Sequence, residues 1–348
     1  MSDRLIDFYS DTTTRPSRAM REAVLDAEVG DEQRGLDPST NALQERVAAL
    51  LGHEAGLFLP SGTMCNEIAL RVHCQSGDEA ICEASSHIIN FETGGPAALS
   101  GIMIRAIDGD QGRFTAAQAR AVVRAPSRYF PESRLICVEQ TANLGGGAVW
   151  PLEQLQEVAE VAREAGLISH MDGARLLNAC AATGIAAQDY AGPFDSAWID
   201  FSKGLGAPVG AVLAGPADFI ERCWRIKQQW GGAMRQSGVL AAMCLYALDH
   251  NVERLADDNA LAARIGETLA ELPLVEAVLP VESNIVIFDI AEEGPTTAEL
   301  VEACKEENVL ICPFGERRVR VVTHLDVTEA DGDALVDLLS GHLGTPWP

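Results

Sequence analysis

Short apolar runs alternate along the chain with stretches in which apolar and charged residues trade places every three to four positions. The runs at 56–59, 79–82, 135–138, 167–171, 196–199 and 210–214 carry the unbroken hydrophobicity of strands buried on both faces. Between them, the stretch 152–165 sets Leu155, Val158 and Val161 among Glu153, Glu157, Glu160 and Arg163, the pattern of a helix lying on a sheet. Strands and helices in this alternation predict an α/β fold around a mainly parallel sheet.

Beyond residue 238 the pattern changes. The almost wholly apolar stretch 239–248 predicts a buried helix, and 252–272 predicts one long helix that leads into a second unit. Downstream, 284–290 and 318–322 predict strands, while 297–307 and 328–343 predict helices. The chain is therefore expected to divide into a large domain, residues 1–257 with the N-terminal segment, and a small α/β C-terminal domain, residues 258–348. No repeat, low-complexity tract or Pro-rich linker interrupts it.

Charge narrows the partners. The 348 residues carry 26 Lys and Arg against 51 Asp and Glu, a formal charge of −25, so a nucleic-acid backbone would be repelled and an anionic ligand would need a local cationic pocket. The nine cysteines form no C-x-x-C pair, are odd in number and sit mostly among apolar neighbours, as buried thiols do in a reducing compartment. The N-terminus is polar and no window holds 18 uncharged apolar residues. A soluble, cytoplasmic protein without membrane or nucleic-acid partners is the expectation. No residue set is nominated as a metal site.

The sharpest chemical signal is Lys203, set among apolar and glycine residues in Asp-Phe-Ser-Lys-Gly-Leu-Gly (200–206), just past a predicted strand. A partly desolvated lysine loses its proton and can form an imine with a carbonyl compound; a turn lysine flanked by glycines is the plainer reading of this segment alone. Asp172 ends the run 167–171, the end of a strand at which ligands of open α/β sheets gather. A pyridoxal phosphate ring needs such an acid to keep its pyridine nitrogen protonated, although Asp172-Gly173 also fits an ordinary turn. The box Pro60-Ser61-Gly62-Thr63 stands before a helical pattern and offers hydroxyls and free amides to a phosphate, or simply caps the helix. His87 could stack on a flat ring or be a structural histidine.

Taken in order, Ser-Asp-Thr-Thr-Thr-Arg-Pro (10–16), Pro-Ser-Gly-Thr (60–63), His87, Met-Asp-Gly-Ala-Arg (171–175), Ser-Lys-Gly-Leu-Gly-Ala-Pro-Val-Gly (202–210), Gly-Gly-Ala-Met-Arg-Gln (231–236) and Val-Thr-His-Leu-Asp (322–326) resemble the low-specificity L-threonine aldolases. The resemblance spans about residues 7–335 and implies a fold type I, aspartate aminotransferase-like enzyme whose large domain holds a seven-stranded-type, mainly parallel sheet. It implies that Lys203 carries pyridoxal phosphate covalently, that Asp172 pairs with the pyridine nitrogen, that His87 stacks on the ring, and that Ser61, Gly62 and Thr63 meet the phosphate. Ser10, Arg175 and Arg320 match residues that hold the substrate carboxylate. Arg235 matches a residue near the phosphate that reaches across a subunit interface, which implies a homodimer or homotetramer with shared active sites.

The departures lie on one side of the pocket. The family's Glu-Asn-Thr-His-Asn reads Glu139-Gln140-Thr141-Ala142-Asn143 here, so an imidazole on the β-hydroxyl side is missing. In the mouth loop the family's Tyr is replaced by Arg34, which either pairs on the rim with Asp31, Glu32 or Asp37 or offers a cation to a second substrate carboxylate. Lys227 sits one residue from a position where the family often has a basic residue near the phosphate. The expected activity is cleavage of a β-hydroxy-α-amino acid of the L-threonine or L-allo-threonine type to glycine and an aldehyde. The alternative is another reaction of the same cofactor on a β-substituted amino acid, namely β-elimination, racemisation or transaldolation; a binding protein on the same fold is the third reading.

Overall fold

The computed structural model describes residues 4–344. Its strands are β1 (Ile6–Asp7), β2 (Ala55–Leu59), β3 (Glu79–Glu83), β4 (Met103–Ile107), β5 (Ser133–Glu139), β6 (Ile168–Gly173), β7 (Ser196–Asp200), β8 (Ala211–Gly215), β9 (Val275–Val278), β10 (Ile285–Ile290), β11 (Val309–Leu310), β12 (Cys312–Pro313) and β13 (Arg318–Val322). Seven of them form one sheet in the order β2-β8-β7-β6-β5-β3-β4. Only β8 runs against its neighbours, so the sheet is mainly parallel, as expected.

The central strands are legible because both faces are covered. All of β7 and β8 and nearly all of β5 and β6 are buried, with helices on either side. On one face the helix Leu152–Glu164 buries Leu155, Val158 and Val161 and turns its acids outward. The strand the pattern missed, β4, is the sheet edge: Met103 is exposed and Arg105 interrupts the run, so no hydrophobic stretch announces it.

Register fixes the site. Glu139 stands opposite Asp172, and Asp172 opposite Trp198, so these three residues lie level near the C-terminal ends of β5, β6 and β7. The loop that follows β7 carries Lys203. Ligands bind at this edge of parallel sheets because the strand ends leave open backbone and the helices begin there.

A second hydrophobic cluster gathers Leu261, Ile265, Leu269, Val286, Phe288, Leu335 and Leu339 beside the antiparallel sheet β12-β13-β10-β9. The helices Leu255–Ala270, Thr297–Glu306 and Glu329–Leu343 cover it. The N-terminal segment joins this cluster rather than the large sheet: β1 pairs in parallel with β11, and Phe8 is buried among the second set. That pairing brings Ser10 and Asp11 to the strand ends of the large sheet. Among the described residues no helix is long and apolar enough to cross a membrane.

Candidate active site

The chain has three lysines, 203, 227 and 305. Lys305 is exposed and pairs with Glu302 one helical turn away. Lys227 is fully buried in contact with Glu32. Lys203 sits in the cleft with 14% of its side chain exposed, its Nζ 3.3 Å from Asp200 Oδ2 and over the Trp198 ring at 5.8 Å from the centroid. Largely shielded but not fully buried, at the C-terminal ends of the strands, Lys203 is the one of the three placed to react with a carbonyl group.

Asp172 is held from two directions: Ala174 N–H donates to Oδ1 at 3.0 Å and Asn66 Nδ2 to Oδ2 at 2.8 Å. Burial raises its pKa and outweighs the nearby positive charges of His87 and Lys203. A buried carboxylate without a cation in ion-pair contact has the electrostatics that a protonated pyridine nitrogen would complete. The Asn66 carboxamide is orientated by the indole, a donor only: Trp198 Nε1 donates to Asn66 Oδ1 at 2.7 Å, which leaves both Nδ2 hydrogens for Asp172 and Glu92.

His87 opens a single helical turn, and its main-chain N–H donates to Glu139 Oε2 at 2.7 Å. Its Nδ1 lies 2.8 Å from Glu92 Oε1, so Nε2 is the ring nitrogen left for the cleft. Burial opposes protonation of the ring, but the bond to Glu92 and the charges of Asp172 and Glu139 prevail and raise its pKa. Glu139 itself is pushed up to about 7, by burial first and by Asp172 second, against the two amides that donate to it.

Ser61 caps the helix Gly62–His73 by accepting from Met64 N–H, which leaves the Gly62 and Thr63 amides without a partner inside the helix. Gly62 is required by contact: a Cβ there would lie 2.2 Å from Trp198 Cη2. A helix start pressed onto the ring beside Lys203 fits the phosphate of a cofactor attached there. The lysine, the acid, the imidazole and the phosphate cradle thus all fit pyridoxal phosphate.

The residues expected at the substrate carboxylate divide. Arg175 does not offer its fork to the cleft: Nε and Nη2 each donate to Asp11 at 2.7 Å, and the pair is buried. Arg175 in turn holds the Asp11 carboxyl well below the usual range despite burial, with Asn284 Nδ2 donating to it at 3.1 Å. Arg320 differs. It is 8% exposed and no carboxylate of the described residues is in ion-pair contact with it. Its Nη1 donates to Asn143 Oδ1 at 3.0 Å, while Nε is buried without a partner. Burial, then the charge of Arg175, lowers its pKa. Ser10 lies beside the same pair, its Oγ accepting from Thr12 N–H at 3.2 Å.

At the mouth the structure differs from the ion pair expected for Arg34, though not from its place on the rim. The residue is exposed, but Asp31 pairs with Arg235, Glu32 meets Lys227, and Asp37 accepts from the amides of Gly30, Thr40 and Gly238. The three acids are already committed to partners elsewhere in the fold. Arg235 is largely exposed, and its main-chain carbonyl accepts from Glu32 N–H at 2.9 Å. Ala142 is buried with its methyl against Gly112, whose would-be Cβ lies 2.5 Å away. The turn Asp110–Arg113 therefore fills the space that a larger side chain would need.

Asn66, Glu92, Glu139 and Asp11 were not nominated from sequence. Asn66 is one turn beyond the Ser-Gly-Thr box, on the face that meets the sheet, and Asp11 adjoins Ser10; these spacings were the available signals. Glu92 carries none, since its partners lie 5 and 26 residues away on elements whose packing the pattern does not reveal.

The architecture and the lysine–acid pair at adjacent strand ends define a fold type I pyridoxal phosphate enzyme. Solved structures of the same architecture include a putative L-allo-threonine aldolase from Listeria monocytogenes EGD-E, with TM-score 0.81 and 20% identity over 97% of this chain and 96% of that one. Threonine aldolase of Leishmania major superposes with TM-score 0.83 and 19% identity, covering 97% and 99%. The sequence pattern of the beta-eliminating lyases matches residues 7–293, and the chain belongs to that family. It is 42% identical over 325 residues to low specificity L-threonine aldolase of Escherichia coli (strain K12), covering 93% of this chain and 95% of that one. Low-specificity L-threonine aldolase 1 of Arabidopsis thaliana is 38% identical over 334 residues, covering 94% and 93%.

Proposed function

We propose that the protein is a pyridoxal phosphate-dependent aldehyde-lyase that cleaves a β-hydroxy-α-amino acid, of the L-threonine or L-allo-threonine type, to glycine and an aldehyde. The observation that carries this reading is the buried Arg320, a guanidinium with an unpartnered Nε and no carboxylate against it, in a cleft that also holds Lys203 and Asp172. A buried cation without an anion is costly unless a ligand supplies one. An amino acid's carboxylate is that anion.

When bound, the cofactor supplies an electron sink conjugated to the substrate's Cα. Lys203 would hold it, Asp172 would keep its ring nitrogen protonated, and the Gly62 and Thr63 amides with Ser61 would take its phosphate. Arg320 fixes the substrate carboxylate with Ser10 beside it, while Arg175 stiffens the floor through Asp11. The β-hydroxyl proton passes to His87 Nε2, or to a water held next to it, before the Cα–Cβ bond opens. Glu92 at Nδ1 holds the ring in the tautomer that can accept there.

Arg235 at the exposed mouth supports a homodimer or homotetramer with shared active sites. The two hydrophobic clusters support a boundary near residues 257 and 258. Nine free thiols, eight of them buried, support a reducing, cytoplasmic setting.

The test is a screen of L-threonine, L-allo-threonine, phenylserine and 3-hydroxyaspartate, with glycine, ammonia and keto-acid release followed together. Glycine with an aldehyde from at least one substrate is expected. Ammonia and keto acid without glycine would replace this reading with β-elimination.

A further inference from the structure

Glu67 lies on the helix Gly62–His73, one position past Asn66, and is buried. Both its carboxyl oxygens lack a hydrogen-bond partner, and so does Glu92 Oε2. Glu67 faces Glu92, and the chain passes so close that a Cβ at Gly95 would lie 2.0 Å from Glu67 Oε1. Glu92 Oε1, by contrast, is saturated: it meets His87 Nδ1 and Asn66 Nδ2, each at 2.8 Å. Two buried carboxyls side by side cannot both ionise without a large cost, and one proton between them satisfies the orphaned oxygens.

We propose that Glu67 is a positioning residue for His87: its protonated carboxyl donates to Glu92 and fixes Glu92 Oε1 as the acceptor that holds His87 Nδ1. Glu92 then stays anionic and orientated, and the imidazole keeps Nε2 towards the cleft. This inference rests on the cofactor-facing role of His87 given above.

The charged group that faces Glu67 is Glu92, while several other elements bring charge to His87 and its neighbours. Asp172 comes from β6, Glu139 from β5 and Lys203 from the loop after β7, while Cys65 on the same helix stays neutral because burial pushes its thiol up. Burial first, and Glu92 second, push Glu67 up to about 8, so the proton is held through neutral pH and lost in mildly alkaline solution. Its loss removes the donor to Glu92 and adds a negative charge behind it, so Glu92 is no longer held with Oε1 on His87 Nδ1 and the imidazole environment changes over the same pH range.

The experiment compares wild type with Glu67→Gln and Glu67→Leu. Glutamine keeps a donor for Glu92 but cannot ionise; leucine removes both properties. Imidazole resonances of His87 are followed by nitrogen-15 NMR through the alkaline range, with and without pyridoxal phosphate, alongside the pH profile of kcat in the loaded enzyme. In wild type the His87 resonance should show an inflection at about 8. Glu67→Gln should lose it while keeping the neutral-pH tautomer and kcat. Glu67→Leu should shift the tautomer even without cofactor and lower kcat about 10-fold or more with little change in KM. Glu67→Gln with the wild-type inflection, or Glu67→Leu with wild-type His87 resonances, would overturn the proposal. The NMR outcomes stand whether or not the enzyme releases glycine, so they are separable from a failure of the proposed activity.

Discussion

The floor of the cleft and its mouth are built by different means. On the floor, Asp172, Glu139 and Trp198 are aligned by strand register, and Lys203 follows within three residues of the end of β7. At the mouth, the loop around residues 31–37 is held by side chains from far along the chain: Lys227 meets Glu32, and Arg235 meets Asp31 across 204 residues. Backbone ladders fix positions to a fraction of a residue, whereas charge pairs depend on both partners being kept. The floor is thus the part that tolerates little change. The mouth carries Arg34, which is exposed and outside the backbone ladders that fix the floor.

The comparison can be broken first at the floor. Lys203→Ala should abolish covalent cofactor binding and lower activity by about 10⁴-fold or more, with Asp172→Asn falling short of that at about 10²–10³-fold. Both are read from steady-state kinetics with the absorbance of bound cofactor, and near-normal turnover in either variant would remove the floor from the chemistry.

At the mouth the largest effect is on stability. Lys227→Met leaves Glu32 buried without its cation and should cost about 3–5 kcal/mol, seen as a lower urea midpoint. Adding Glu32→Gln should recover part of the loss. A single variant as stable as wild type would show that the clamp does not hold the loop.

Ala142→His tests why the imidazole is absent. The methyl already touches Gly112, a residue with φ 75°, so the ring must displace the turn Asp110–Arg113. A loss of about 1–3 kcal/mol is expected by overpacking. Pairing it with a deletion in that turn should soften the loss, and an unstrained Ala142→His would mean that the turn yields easily.

The smallest effect belongs to Arg34. Exposed, with the nearby acids taken by other partners, it should contribute within about 0.5 kcal/mol to stability. Arg34→Tyr sharpens its functional meaning: a fall of about tenfold in the ratio of kcat/KM for 3-hydroxyaspartate over threonine would assign it to substrate choice, and an unchanged ratio would leave it a solvated rim charge.

How far the sequence could be read follows the same division. Strands β5 to β8 were legible because burial on both faces leaves an apolar run, and Lys203, Asp172 and the Ser61 cap were legible because each directly adjoins such a run or a helix start. The edge strand β4 and the short β1, β11 and β12 carry no comparable signal. Arg175 was nominated through the family resemblance, and its partner Asp11 arrives only through the pairing of β1 with β11, which local periodicity does not encode. Glu67 and Glu92 read as ordinary acids until packing removes them from water. Arg34 was read beside three acids that are near in sequence and engaged in space.

The central claim is that the reactive carbonyl chemistry belongs to the floor. Loading the protein with pyridoxal phosphate, reducing it with borohydride and mapping the labelled peptide tests this with three possible attachment points, since the chain contains lysines only at 203, 227 and 305. The account predicts the pyridoxyl group on Lys203 alone. A label on Lys227 or Lys305, with Lys203 unmodified, would contradict it.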